Sequence, residues 1–396
     1  RQYERKIGRQ HEMKTDTQLY YEPISILDLL QARSKVEMSP RQLAFLCGLI
    51  KEYKPQKIVE IGVAAGGTSS VILNCISLLG LETEMYSIDL SPYYYRDRSK
   101  KTGYLTDEYK ELAQERGGMK TAHILYTGRY AVECLEEIGE GIDLLILDSS
   151  HFLPDEILDF LACYPFLKRG SIVALHDLVL DLQTAHSEYR ATKVLFDAVT
   201  AAKILDFGDL NLGAFQITSN TSKCLEDVFF SLVTNWGYKP ENRMLELYKN
   251  FYRLHFSEKQ LGLFDRAVQM NMDMFDKIIH EGEQARIRFL EKIRLDKNIR
   301  NKRIFIYGDG EGGRKIHSLL DEAGIDNKIY HIISDNQKRL DTADESVKYL
   351  SEIEFDTKRD IIFIGVNRKL WQEVCDELHK RGIVEYHFID ELIWRI

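Results

Sequence analysis

Short apolar runs bounded by turn residues alternate along the chain with stretches whose apolar positions recur every three or four residues, which is the pattern of an α/β protein. Ile58, Val59 and Ile61 predict a buried parallel strand, and Val71, Ile72 and Leu73 the helix after it. Further strands are predicted over Glu84–Asp89, His123–Tyr126, Ile142–Leu147 and Ser171–Leu175, with a helix over Pro154–Leu167 between the last two. Thr192–Ala202 reads as a helix and Ala214–Thr218 as an edge strand that closes the domain near residue 220. Ahead of the first strand, Ser25–Ala32 and Ser39–Tyr53 read as helices that cover the sheet edge, the second capped by Ser39 with Pro40 in its first turn.

The period then becomes helical. Leu225, Val228, Phe229, Leu232 and Val233 form one stripe, and Leu245, Leu247, Tyr248, Phe251 and Leu254 another. This predicts a connector that bridges domains or makes a dimer contact. After it, Arg303–Tyr307 reads as a strand, Gly308-Asp309-Gly310-Glu311-Gly312-Gly313 as a Gly-x-Gly-x-x-Gly turn, and Lys328–Ser334 as a second strand ending at Asp335, where a ribose acid would stand. Asp360–Gly365 and Glu385–Ile389 add strands. The expected organisation is a helical segment over 1–45, a Rossmann-like domain over 46–220, a helical connector over 221–300 and a second, small Rossmann-like α/β domain over 301–396.

Composition narrows the class. The chain has 396 residues, 44% hydrophobic and 29% charged, enough for more than one core. A formal charge of −9 and the lack of a long basic run argue against non-specific nucleic-acid binding. Cys47, Cys75, Cys134, Cys163, Cys224 and Cys375 are scattered without a Cys-x-x-Cys, as expected of reduced thiols in a cytoplasmic protein. No apolar run approaches the roughly 20 residues of a membrane span, and the stretch from Arg1 to Lys6 lacks the apolar character of a signal peptide. Neither a Gly-x-Ser-x-Gly elbow nor a His-Glu-x-x-His pair is present.

The candidate chemistry starts at Glu60-Ile61-Gly62-Val63-Ala64-Ala65-Gly66-Gly67, where an acid ends a strand and glycines open a turn before Thr68 and Ser69 start a helix. The glycine spacing differs from a dinucleotide fingerprint. It resembles motif I of class I S-adenosylmethionine-dependent methyltransferases. That cofactor carries a sulfonium and an ammonium and no phosphate, so an acid beside the turn suits it. Asp89 ends the next strand about 20 residues further on, the spacing of an acid that grips a ribose. The resemblance implies that Glu60, Gly62, Ala64, Gly66, Thr68, Ser69, Asp89 and Asp148 contact the cofactor, with Gly128 and Arg129 near its adenine.

Asp148, Ser149, Ser150 and His151 follow the fourth strand, and His176 and Asp177 the fifth, so these groups are expected to converge on one rim of the sheet. The block from Leu147 to Asp177 resembles sugar O-methyltransferases and cephalosporin-hydroxylase-like proteins. In metal-dependent members a carboxylate after the fourth strand and an acidic pair after the fifth hold Mg²⁺. Asp148 and Asp177 match that pattern, but His176 replaces the first acid of the pair. Mg²⁺ prefers oxygen, whereas a mixed set suits zinc, manganese or iron. The resemblance therefore implies either a divalent metal on Asp148, His176 and Asp177, or acceptor orientation by Asp148 and Asp177. His151 stands where these relatives carry a general base.

The expected function is methyl transfer from S-adenosylmethionine to a hydroxyl of a small polar acceptor, a sugar or sugar nucleotide of a polysaccharide or natural-product pathway. His151 and Asp148 would be the catalytic groups. The tyrosine-rich loop from Ser91 to Tyr104 is expected to fold over the substrate. The C-terminal glycine turn resembles small nucleotide-sugar-binding-like modules. Two alternatives stay open: an NAD-linked sugar-nucleotide oxidoreductase or epimerase using that turn, and a non-catalytic scaffold.

Overall fold

A computed structural model of the chain describes residues 19–116, 121–184, 188–297, 299–325, 327–335 and 346–394. The expectations for residues 1–18, the missing signal peptide and the start of the N-terminal helical segment, lie outside the described residues. The chain forms two compact units, Arg1–Met272 and Asp273–Ile396.

The first unit is a seven-stranded Rossmann-like sheet between helical layers. Its strands are β1 (Lys57–Ile61), β2 (Glu84–Asp89), β3 (Ala122–Thr127), β4 (Ile142–Leu147), β5 (Leu167–His176), β6 (Lys203–Leu205) and β7 (Leu212–Gln216), in the order β3-β2-β1-β4-β5-β7-β6. The first five run parallel, while β7 pairs antiparallel with β5 and β6. The order reverses at β1 and β4, so the crevice beyond their carboxyl ends is where an open sheet of this kind takes a ligand.

One correction concerns β7. The expected edge strand lies inside the sheet, and β6 takes the edge. Three residues starting with a lysine do not read as a strand. Lys203 is nonetheless buried, its ammonium donating to Val199 O at 2.7 Å and lying over the rings of Phe196 and Phe215.

The helices of this unit are α1 (Ile26–Leu29), α2 (Pro40–Tyr53), α3 (Gly67–Leu79), α4 (Tyr104–Glu115), α5 (Leu135–Ile138), α6 (Asp155–Cys163), α7 (Leu180–Thr184), α8 (Ala191–Ala198), α9 (Leu225–Ser231), α10 (Asn242–His255) and the first part of α11 (Glu258–Leu295). Ser39 caps α2 as expected, in a reciprocal capping box with Gln42. Leu43, Phe45, Leu46 and Ile50 of α2 pack with Val71, Ile72 and Ile76 of α3 and with Ile58, Leu144 and Ile172 of the sheet. Burying a side chain of this size contributes about 1.5–3 kcal/mol. The rigid part of the unit is therefore the β1–β4–β5 centre, whose strand ends carry the polar groups.

Residues beyond 220 also belong to this core up to Met272. Tyr252 donates its hydroxyl to Leu158 O at 2.8 Å, and the fully buried Trp236 donates its ring N–H to Leu232 O at 3.0 Å. Through Tyr252, α10 packs on α6.

The second unit is a five-stranded parallel sheet of β8 (Arg303–Tyr307), β9 (Ile329–Ile333), β10 (Val347–Tyr349), β11 (Asp360–Ile364) and β12 (His387–Phe388), in the order β10-β9-β8-β11-β12. The end of α11 with α12 (Glu311–Glu322) and α14 (Glu391–Trp394) supplies one apolar layer, and α13 (Trp371–Lys380) the other. Among the described residues no helix is long and apolar enough to cross a membrane, and all six cysteines are free thiols.

Candidate active site

The turn after β1 is pinned from β2. Asp89 Oδ2 accepts the N–H groups of Val63 at 2.9 Å and Ala64 at 3.0 Å, and Oδ1 accepts that of Ser91 at 2.8 Å. Gly62 has φ +94°, and a Cβ there would fall 1.8 Å from Asp148 O. Only glycine lets β1 leave the sheet so close to β4.

Glu60 faces inward. It is 1% exposed and accepts the hydroxyls of Ser69 at 2.6 Å and Ser87 at 2.7 Å. Burial pushes its carboxyl up to about 7 against the pull of those two hydroxyls. Thr68 and Ser69 are buried as well, and the carbonyl of Gly66 accepts from Ser70 and Thr106. These four expected contact residues hold the turn from behind.

The rim expected beyond β4 and β5 is assembled. His176 Nδ1 lies 2.8 Å from Asp148 Oδ1 and 3.3 Å from Asp177 Oδ2. His151 Nε2 lies 3.1 Å from the same Asp177 oxygen, and Asn211 donates to Asp177 Oδ1 at 2.7 Å. Burial works against a charge on His176, but Asp148 and Asp177 outweigh it and push the ring up to about 10. Asp177 in turn is held below the ordinary carboxylate range, its burial being outweighed by His176, His151 and Asn211. His151 and Asp177 both adopt left-handed backbone, at φ +65° and +58°, which is uncommon for non-glycine residues.

Behind His151 sits Glu156, fully buried and with its carboxyl pushed well up by burial. Glu156 Oε1 accepts the backbone N–H of His151 and lies 3.7 Å from its Nδ1. His151 Nδ1 and Glu156 Oε2 are buried without a hydrogen-bond partner. Donor atoms of Asp148, His151 and Asp177 lie within 4.8 Å of one another. His176, the expected third ligand, instead turns both ring nitrogens to protein acceptors, Asp148 on one side and Gln42 Oε1 at 3.3 Å on the other.

A cavity of about 580 Å³ opens over this framework, within the range of small-molecule sites. Of the residues singled out in the sequence, Gly62, Ala64, Asp89, Arg129 and Asp148 line it, together with Val63; Glu60, Gly66, Thr68, Ser69, Gly128, His151, His176 and Asp177 do not. The guanidinium of Arg129 is tied to Glu137 at 2.7 Å and lies over the Tyr126 ring. From the 91–104 loop, Tyr93, Tyr95 and Thr102 reach the wall, and Tyr95 donates to Glu37 at 2.7 Å.

A further wall was missed in the sequence. Tyr238, Glu241, Met244 and Tyr248 line the cavity beside Asp155 and Asp159 of α6. Tyr238 donates to Asp155 and Tyr248 to Asp159. Burial raises both carboxyls, that of Asp159 to about 7. Read along the chain, these aromatics are an ordinary amphipathic stripe, and only their hydroxyls signal a polar partner.

The glycine turn of the second unit is closely packed. A Cβ on Gly313 would fall 1.9 Å from Gly308 O, and one on Gly312 2.4 Å from Gly365 O. Asp335 accepts the N–H of Ser351 at 3.0 Å and pairs with Arg381 at 2.6 Å.

Several solved structures resemble the chain at low scores. O-methyltransferase TomG from Streptomyces achromogenes, involved in tomaymycin synthesis and solved with SAM, is 17% identical at TM-score 0.36, over 52% of this chain and 92% of that one. An O-methyltransferase from Bacillus cereus solved with SAH is 15% identical at TM-score 0.36, over 55% and 96%. The SAH-bound methyltransferase PaMTH1 from Podospora anserina is 13% identical at TM-score 0.37, over 50% and 88%. Scores this low say nothing about activity, and no curated protein matches the chain. Residues 59–178, which run from β1 through both rim-forming strand ends, match the family model of a methyltransferase domain.

Proposed function

We propose that the first unit transfers a methyl group from S-adenosylmethionine to a hydroxyl of a small, polar, uncharged acceptor such as a sugar. The observation that carries this reading is the cavity that joins the Asp89-pinned glycine turn to the Asp148 rim, inside the segment matched as a methyltransferase domain. When bound, the cofactor supplies an electrophilic methyl carbon on a sulfonium. The turn at Gly62–Ala64 and the carboxylate of Asp89 would hold it, with Leu90, Tyr130 and Ala131 as apolar walls.

Asp148 lines the cavity and would orient the acceptor hydroxyl. His151, which follows the lining residues Ser149 and Ser150, would be the base, and Asp177 Oδ2, 3.1 Å from its Nε2, would stabilise the imidazolium formed. The aromatic wall of Tyr130, Tyr238 and Tyr248 would keep water from the transfer. The exposed rings of Tyr93 and Tyr95 suit a sugar face. The lining carboxyls of Asp89, Asp148 and Glu241, with those of Asp155 and Asp159 raised by burial, face a single lining cation, Arg129, which is already paired. That balance disfavours the phosphates of a sugar nucleotide.

Calorimetry with S-adenosylhomocysteine tests the cofactor half, and no heat of binding would end the proposal. His151→Ala tests the acceptor half. It should lose turnover on a sugar acceptor while keeping affinity for S-adenosylhomocysteine, and unchanged turnover removes His151 as the base.

A further inference from the structure

We propose that His176 is a built-in cation: its ring carries a proton on both nitrogens and holds Asp148 and Asp177 together where the resemblance places a divalent ion, so that the rim works without a metal. The argument is one of hydrogen-bond direction. Ser39 donates its backbone N–H to Gln42 Oε1 at 2.7 Å, and Gln42 Nε2 donates to Asp209 Oδ1 at 3.2 Å. These two bonds fix which end of the amide is oxygen. That oxygen, 3.3 Å from His176 Nε2, can only accept, so Nε2 carries a hydrogen. Nδ1, on the other side of the ring, faces Asp148 Oδ1 at 2.8 Å and Asp177 Oδ2 at 3.3 Å, and ionised carboxylates only accept. Nδ1 therefore carries a hydrogen too.

The same logic removes the oxygens a metal would need. Asn211 Oδ1 takes the N–H of Val179 at 3.2 Å, which turns its Nδ2 to Asp177 Oδ1 at 2.7 Å. Asp148 Oδ1 and both oxygens of Asp177 thus already face N–H groups. Donors of Asp148, His151 and Asp177 do converge within 4.8 Å, but an ion among them would compete with His176 for Asp177 Oδ2 and sit against a positive ring. Hard cations bind through several oxygens at about 2.0–2.6 Å. This set offers too few oxygens for Mg²⁺, and for zinc, manganese or iron, which a mixed set suits, His176 is turned away to Asp148 and Gln42, so the residues present do not fit the metal.

The proposal stands apart from the methyl-transfer reading. Its test uses the full chain and Mn²⁺, followed by electron paramagnetic resonance. The wild type should leave the free Mn²⁺ signal undiminished, and His176→Asn, which removes the internal cation, should deplete it. On wild-type protein with ¹⁵N-labelled histidine, one imidazole should show both nitrogens protonated near neutral pH, unchanged by EDTA. This second measurement decides the matter if the variant does not fold. Depletion of Mn²⁺ by the wild type that Asp177→Asn abolishes, or no doubly protonated imidazole in the spectrum, overturns the proposal. Calorimetry with S-adenosylhomocysteine on the same sample keeps the readings separable, since cofactor product bound together with Mn²⁺ sinks only the cation proposal.

Discussion

The carboxylate of Asp89 accepts the backbone N–H of Ala64 at 3.0 Å, so the acid that ends β2 holds the turn that follows β1. Ala64 sits at φ +49°, a conformation an alanine keeps only when something fixes it. Replacing Asp89 with Ala removes acceptors from three backbone N–H groups and should cost about 2–3 kcal/mol, the scale of hydrogen bonds to a charged group. Urea unfolding measures this, and affinity for S-adenosylhomocysteine should fall with it. An unchanged midpoint would mean the turn supports itself.

Gly62 and Gly128 both have positive φ, but their surroundings differ, and so should their substitution. An Ala at 62 collides with the Asp148 backbone at 1.8 Å, whereas nothing lies within 4 Å of a Cβ at 128. Gly128→Ala should cost roughly 1 kcal/mol for the backbone alone. Gly62→Ala should cost more than about 4 kcal/mol or prevent folding. Thermal melts of the two variants side by side check this, and equal losses would contradict the close passage of β1 and β4.

The central strands were legible because Ile58, Val59, Leu144, Leu145 and Val173 stand in short apolar runs of the kind a buried parallel strand uses. The rim was legible because Asp148, His151, His176 and Asp177 directly follow such runs. Contacts distant in sequence were not. Gln42 completes the box that caps α2, and its second task against His176 depends on how α2 lies across the sheet. Lys203 hid an edge strand because its charge is neutralised by carbonyls and rings that no local pattern announces.

Tyr248 and Asp159 are both buried, and the hydroxyl is the carboxyl's partner. Tyr248→Phe leaves that carboxyl without its donor and should cost about 1–3 kcal/mol. Adding Asp159→Leu removes the group left unpaired, so the double variant should recover part of the loss. Strict additivity in a double-mutant cycle would show that the two residues do not interact.

Glu60 gives the first unit a stability that falls as pH rises. Its folded carboxyl titrates at about 7, raised by burial from the ordinary 4.5. Between those values the unfolded chain releases a proton that the folded chain keeps. Stability is therefore greatest below the unfolded value, declines as pH climbs from 4.5 towards 7, and levels off above. The decline assigned to this group is up to about 3 kcal/mol. Asp159, also raised to about 7, contributes in the same direction. The difference between wild type and Glu60→Gln isolates the Glu60 share, because a glutamine oxygen still accepts from Ser69 and Ser87 but carries no titrating proton. Denaturant unfolding across this window should show a shallower decline for the variant, and parallel curves would place the wild-type carboxyl in its ordinary range.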